Sequence, residues 1–68
     1  MEIRFNGQKE TVDQEISLFE FFVLQGIDPK AGYIAAAVNE KIIKRSEWPL
    51  IFLKNSDRVE LIHAVQGG

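Results

Sequence analysis

The sequence predicts an α+β fold, in which one helix packs across one face of a mixed sheet of four to five strands. Three observations support this class: alternating apolar residues near the N-terminus, a capped apolar helix after them, and an apolar run that leads to a final alternating strand. The 68 residues suffice for one domain, 1–68, which must bury most of its large apolar side chains in a single core.

The composition excludes several classes of function. The net charge is −2 and no Lys/Arg cluster forms, so neither nucleic acid nor a membrane is expected as a partner. The absence of cysteine excludes disulfides, thiolate nucleophiles and cysteine-based metal sites. No signal-peptide core and no apolar run of roughly 20 residues is present, which predicts a cytoplasmic protein.

The first two strands form a predicted hairpin. In Met1–Phe5, apolar residues alternate with Glu and Arg, as in a half-buried strand. Asn6-Gly7 follows and favours a two-residue turn, because both residues tolerate positive φ. The return strand, Gln8–Val12, would place Glu10 opposite Ile3 on the buried side. Either a bulge shifts the register or Glu10 lies at an open edge, and both alternatives stand.

The helix has clear signals at both ends. Ser17 and Glu20 form a capping box, and Ile16 and Phe21 have the spacing of a hydrophobic staple. Gly26 is a natural stop in the left-handed conformation. The spacing i, i+3, i+4 predicts a core-facing stripe made of Leu18, Phe21 and Phe22.

The apolar surface of the helix extends beyond this stripe through Phe19, Val23 and Leu24. Phe19 and Val23 are four residues apart on a helix face that we expect to be partly exposed; core or staple packing is the favoured interpretation and a contact surface the alternative. Whether they imply self-association stays open. Trp48 is interpreted as an anchor that pins the 45–49 connection to the core.

The second half of the chain is predicted to supply the remaining strands. In order, these are a central strand Tyr33–Val38, a turn Asn39-Glu40, a short strand Lys41–Ile43, a single helical turn or irregular segment 45–49 with Ser46 as candidate cap, a brief strand Leu50–Leu53, a turn 55–57, and a last strand from Arg58 to about Val65. The predicted core comprises Ile3, Phe5, Leu18, Phe22, Val38, Val59 and Leu61.

Residues with catalytic chemistry are sparse. His63, the one histidine, has no partner motif and is interpreted as a plain strand residue near the sheet edge. One histidine without cysteine cannot supply the three or four ligands of a zinc site. No phosphate-binding glycine loop and no paired carboxylates are present, so we expect neither an enzyme nor a bound cofactor or metal.

The chain ends in Gly67-Gly68, and this tail (66–68) is the strongest candidate for function. Without side chains, the two residues can lie extended in a channel where any Cβ would clash. They also leave the terminal carbonyl carbon unhindered. The alternative is a frayed end without a role.

Two stretches carry a family resemblance. AAAVNEKIIKRSEW at 35–48 and DRVELIHAVQGG at 57–68 resemble the sulfur carriers of thiamine biosynthesis, the ThiS family, which have a ubiquitin-like β-grasp fold. Residues 3–7 match as well. The sequence departs from the family pattern at Asn55-Ser56, where a glycine usually precedes the Asp, and at Phe19 and Val23, where polar residues are common.

The resemblance implies a chemical role for Gly68. A ubiquitin-activating-type (ThiF-like) enzyme would use ATP to adenylate its carboxylate. A cysteine desulfurase or rhodanese-like donor would then supply the sulfur of a C-terminal thiocarboxylate, which thiazole synthase (ThiG-like) would accept. Gln66 and Gly67 would be recognised with the tail. The alternatives are a sulfur carrier for molybdopterin synthesis and a ubiquitin-like modifier or interaction domain.

A docking surface is predicted on the sheet face opposite the helix. Ile62 alternates with core residues on the last strand, where a solvated position would normally be polar, and Ala64 has the same phase. Exposed apolar residues beside a functional tail are natural contact anchors. We therefore expect Ile62 and Ala64 to contact the activating enzyme.

Overall fold

The computed structural model describes residues 1–13, 15–28 and 33–63. Along the chain it contains β1 (Glu2–Phe5), β2 (Gln8–Thr11), α1 (Leu18–Leu24), β3 (Tyr33–Val38), β4 (Lys41–Ile43), a 3₁₀ helix (Arg45–Leu50) and β5 (Arg58–His63). The predicted class is confirmed: five strands form one mixed sheet and α1 packs across one of its faces.

The sheet has the strand order β2-β1-β5-β3-β4. β1 and β5 run parallel, and the other neighbouring pairs are antiparallel. The last strand of the chain is therefore the central strand of the sheet. β5 lies between β1 and β3, but its described pairing with β1 ends at Val59. His63 pairs with Tyr33 of β3 beyond that point, which agrees with its predicted place near a sheet edge.

The first hairpin resolves the question left open at Glu10. Asn6 and Gly7 both have positive φ, 49° and 83°, which suits a two-residue turn. The register is regular and sets Ile3 opposite Glu10, so no bulge shifts it. Glu10 is half-buried on β2, which is an edge strand, so the alternative of an open edge is confirmed.

The capping box at the start of α1 is confirmed. The Ser17 hydroxyl accepts from the Glu20 backbone N–H at 3.1 Å, and the Glu20 carboxylate accepts from the Ser17 N–H at 3.1 Å. Gly26, with φ of 78°, follows the end of the helix. Seven residues are too few for a stable isolated helix, so burial of its apolar stripe must stabilise it. The whole stripe is fully buried: Leu18, Phe21 and Phe22.

The predicted core is formed as expected. Five of its seven members are buried together, and Phe5 and Val38 are half-buried against them. The predicted anchoring role of Trp48 is also confirmed. Its ring meets that of Phe22 edge-on at 4.8 Å, and its indole Nε1 donates to the Ile43 carbonyl at 3.2 Å. Both the apolar and the polar part of the side chain are thereby satisfied.

Two local predictions around residues 46–53 are wrong. Ser46 is not a cap, because the 3₁₀ helix begins at Arg45 and Lys44 precedes it without a side-chain hydrogen bond. No strand forms at 50–53. That segment pairs instead with the entry of α1, where the Leu18 N–H donates to the Ile51 carbonyl at 2.7 Å. Ser17 and Phe52 consequently form an isolated antiparallel β-bridge.

The favoured interpretation of Phe19 and Val23 is wrong as well. Their side chains are 37% and 51% exposed. A helix of two turns presents one stripe to the sheet, and these residues fall on its outer side. They border a shallow hollow of about 320 Å³ together with Ile16, Glu20 and Leu24.

Candidate functional site

The candidate site lies on the sheet face turned away from α1, called here the open face. Residues alternate along each strand, so the neighbours of core residues such as Ile3, Val59 and Leu61 project from it. Ten strand positions make up the open face: Glu2, Arg4, Lys9, Thr11, Ala35, Ala37, Ile42, Arg58, Glu60 and Ile62.

One part of the open face is apolar. Ile62 and Ile42 are 41% and 59% exposed, and the alanines of β3 lie between them. Ala35 pairs with Ile62 across one strand boundary, and Ala37 pairs with Ile42 across the other. Because the alanine side chain is short, the two isoleucine side chains project further from the sheet than those of Ala35 and Ala37. These four residues are called the apolar corner.

The predicted exposure of Ile62 on this face is confirmed, whereas Ala64 lies outside the described residues. Ile42 was missed as a candidate. A signal for it existed in the sequence, because Ile42 and Ile43 are adjacent on a short strand. Only one of two neighbouring strand residues can face the core, and the structure buries Ile43.

A second part of the open face is positively charged. Lys9, Arg4 and Arg58 lie side by side on three adjacent strands, because Arg4 pairs with Lys9 on one side and with Arg58 on the other. They are called the cationic row. Glu2 forms an ion pair with Lys9 at 3.1 Å, and Glu40 one with Arg58 at 3.5 Å. Sequence reasoning missed the row, since the parallel pairing of the first and last strands has no local signal.

A hydrogen-bond network fixes the start of β5. Asp57 is 9% exposed, and its carboxylate accepts from the Asn39 side chain at 2.9 Å and from the Lys54 N–H at 2.7 Å. The Asn39 side-chain oxygen in turn accepts from the Arg58 N–H at 2.9 Å. The β3–β4 turn is thus tied to the first residue of the strand that leads to the tail.

A second contact holds β5 on its other side. β1 ends at Phe5, and beyond that point the side chain of Asn6 continues the pairing, accepting from the Leu61 N–H at 3.0 Å. The Asn6 N–H donates to the Val59 carbonyl at 2.9 Å. Together with its pairing to β3, these bonds hold β5 in the sheet on both sides as far as Leu61.

The tail itself is not described. β5 is described as far as His63, and Gln66, Gly67 and Gly68 lie outside the described residues with Ala64. The roles assigned to them from the sequence stay predictions. Within residues 1–13, 15–28 and 33–63, no three His, Cys, Asp or Glu side chains come together as metal ligands would. No helix in those segments has the length and apolarity to cross a membrane.

Comparisons with known proteins agree with this fold. A crystal structure of the thiamine biosynthesis protein (ThiS) from Geobacter metallireducens is similar with a TM-score of 0.83 and 24% identity, over 100% of both chains. An NMR solution structure of a thiamine biosynthesis protein from the same organism is similar with a TM-score of 0.76 and 24% identity, over 100% of this chain and 88% of the other. At this identity the likeness establishes a shared fold.

No curated protein sequence matches the chain. The model of the ThiS family, by contrast, matches residues 2–68, which is almost the full length and includes both terminal glycines. The protein therefore belongs to the ThiS family.

Proposed function

We propose that this chain is a cytoplasmic sulfur carrier for thiamine biosynthesis whose reactive group is the carboxylate of Gly68. Membership of the ThiS family supports a sulfur-carrier role in that pathway. The observation that carries the proposal is that the family match extends through Gly67 to Gly68, the last residue. The alternation of β5 adds support, since it presents Ile62 on the open face shortly before the tail.

The proposed chemistry begins with activation of a poor electrophile. The Gly68 carboxylate attacks the α-phosphate of ATP on a ThiF-like enzyme, pyrophosphate leaves, and a mixed anhydride with AMP forms. The terminal sulfur of a protein persulfide, supplied by a desulfurase or rhodanese-like donor, then attacks the carbonyl carbon and AMP leaves. A thiol cleaves the resulting S–S bond, which releases the thiocarboxylate and leaves a disulfide.

The thiocarboxylate sulfur is a soft nucleophile, and we propose a thiazole synthase (ThiG-like) as its acceptor. In this scheme the partners supply the catalytic groups, whereas the carrier supplies a docking surface and a reactive end. Gln66 and Gly67 would lie in the channel of the activating enzyme, where a Cβ on Gly67 would clash.

Docking is proposed to use the apolar corner. The two glycines of the tail offer no side chains for a partner to recognise. The activating enzyme must therefore identify the carrier through a surface on its folded part. Ile62 and Ile42 are exposed apolar residues on a rigid sheet, which is the type of anchor that dominates many interfaces. Ala64, two residues beyond Ile62 in sequence, is assigned to the same surface by its phase.

An adenylation assay tests the proposal. The activating site must align the carboxylate with the α-phosphate, and a misplacement of about 1 Å can cost on the order of 100-fold in rate. We expect ATP-dependent pyrophosphate release with the wild type. Deletion of Gly68 or addition of one residue should abolish it, and Gly67→Ala should impair it.

The melting temperature of each variant is the control, and it should stay close to that of the wild type because the tail follows the last core residue. Release of pyrophosphate with the deletion variant at the wild-type rate would contradict the proposal. So would its absence with the wild type and a competent activating enzyme.

A further inference from the structure

We propose that the cationic row is a second recognition element, which binds a cluster of carboxylates on the adenylating enzyme while the apolar corner binds an adjacent apolar surface. This inference rests on the proposed function and names the chemistry of the partner at the docking face. It assigns binding roles to Arg4, Arg58 and Lys9 in addition to the isoleucines.

The first argument is the energetic cost of the row. Neighbouring strands are about 4.8 Å apart, and like charges directly opposite each other destabilise a sheet. Arg4 has Lys9 opposite on one side and Arg58 on the other. Glu2 and Glu40 neutralise the two ends, yet the side chains of these ion pairs are 47% to 76% exposed. Such surface pairs contribute little and exchange readily for other partners.

The second argument is geometry. Arg58 and Ile62 are four residues apart on the same face of β5, which places the row and the apolar corner about 13 Å apart along the strand. A single flat surface of another protein can contact both. The sheet holds the two elements in a fixed relation, since Asn39 and Asp57 fix the start of β5.

The third argument is a hollow between the two arginines. It has a volume of about 260 Å³ and is lined by Arg4, Asn6, Gly7, Arg58, Val59 and Glu60. Its size suits one inserted side chain. Glu60 also lines it, so we place the partner's carboxylate on the side of Arg4 and Arg58.

The surrounding charges select discrete carboxylates over a polyanion. Glu2 and Glu40 pair with Lys9 and Arg58, Glu60 lines the hollow beside the two arginines, and the whole chain carries a net charge of −2. A nucleic acid or an anionic membrane would be repelled by these acidic neighbours. Carboxylates on a protein can be placed between them, and such complementarity mainly raises the association rate and the specificity.

The test compares variants of Arg4 with matched variants of Lys41. Lys41 is an exposed strand residue, but it pairs with Val38 and so projects from the helix side of the sheet. Binding of each purified protein to the ThiF-like enzyme encoded by the same organism is measured by calorimetry at low and at physiological salt. Wild-type adenylation is measured in parallel.

We expect Arg4→Gln to weaken binding roughly tenfold and Arg4→Glu to weaken it further, with a smaller salt dependence in both. Lys41→Gln and Lys41→Glu should bind like the wild type. The melting temperature of Arg4→Gln should stay unchanged or rise, because repulsion from Lys9 and Arg58 is relieved. A purely structural role of Arg4 would not produce weaker binding together with an unchanged or higher melting temperature.

Several results would overturn the inference. If the wild type is adenylated and the Arg4 variants bind as the Lys41 variants do, the row has no role and the proposed function stands. If Arg4→Gln lowers the melting temperature together with the affinity, Arg4 belongs to the fold. If the wild type neither binds nor is adenylated, the proposed function fails and the inference fails with it.

Discussion

Replacement of Asn39 by alanine should destabilise the fold more than its exposed position suggests. Asn39 lies in the β3–β4 turn with φ of 51°, in the left-handed region. Its side chain donates to Asp57 at 2.9 Å and accepts from the Arg58 N–H at 2.9 Å. Asn39→Ala removes both hydrogen bonds and leaves a Cβ-bearing residue without local polar compensation in a conformation that only Gly, Asn and Asp adopt routinely.

The expected cost is a large part of the total stability. Each hydrogen bond contributes about 0.5–1.5 kcal/mol, and the left-handed conformation costs alanine about 1–2 kcal/mol. The sum is about 2–5 kcal/mol. A chain of 68 residues has about 3–10 kcal/mol available, at 0.05–0.15 kcal/mol per residue. Asn39→Ala should therefore lose a large share of its stability and unfold at a clearly lower urea concentration than the wild type.

Urea unfolding followed by the fluorescence of Trp48 measures this effect, because Trp48 is 1% exposed in the folded protein. Asn39→Gly is the matched control. It removes the same two hydrogen bonds but tolerates positive φ, so it should recover about 1–2 kcal/mol relative to alanine. A change below about 0.5 kcal/mol for Asn39→Ala, the range of ordinary surface substitutions, would refute the reasoning. Equal losses for alanine and glycine would refute its conformational part.

Two further predictions concern the core and the open face. Trp48→Phe should cost about 1–3 kcal/mol because the Ile43 carbonyl loses its donor, and Trp48→Ala about 3–5 kcal/mol because a cavity adds to that loss. Unfolding followed by circular dichroism checks both, and a neutral Trp48→Phe would show that the indole hydrogen bond is dispensable. Ile62→Asp should weaken the complex with the activating enzyme by about 1–3 kcal/mol at unchanged fold, since a charge without a partner is desolvated. Wild-type affinity of that variant in calorimetry would exclude Ile62 from the interface.

Local signals made much of the fold predictable. The capping box at Ser17, the turn at Asn6-Gly7 and the alternation of β5 depend on neighbours in sequence, and all three are confirmed. Failures arose where a long-range contact decides the outcome. Segment 50–53 pairs with the entry of α1 instead of the sheet, and the position of β5 at the centre follows from a parallel contact with β1.

The site was predictable only in part. Ile62 was identified because it is apolar at a position of β5 where the alternation of residues predicts a side chain facing solvent. Ile42 and the cationic row became visible only through the strand order, which brings together positions as distant in sequence as Arg4 and Arg58. No pattern within a single strand could indicate that three cations share one row.

The most direct test of the central claim is the mass of the carrier after sulfur transfer. The wild-type protein is incubated with the ThiF-like enzyme, ATP and a persulfide donor, reduced with a thiol, and analysed by intact-protein mass spectrometry with fragmentation. The account predicts a gain equal to the exchange of one oxygen for one sulfur, located at Gly68 and absent without ATP. An unchanged mass with a demonstrably active enzyme, or a sulfur located at any other residue, would contradict it.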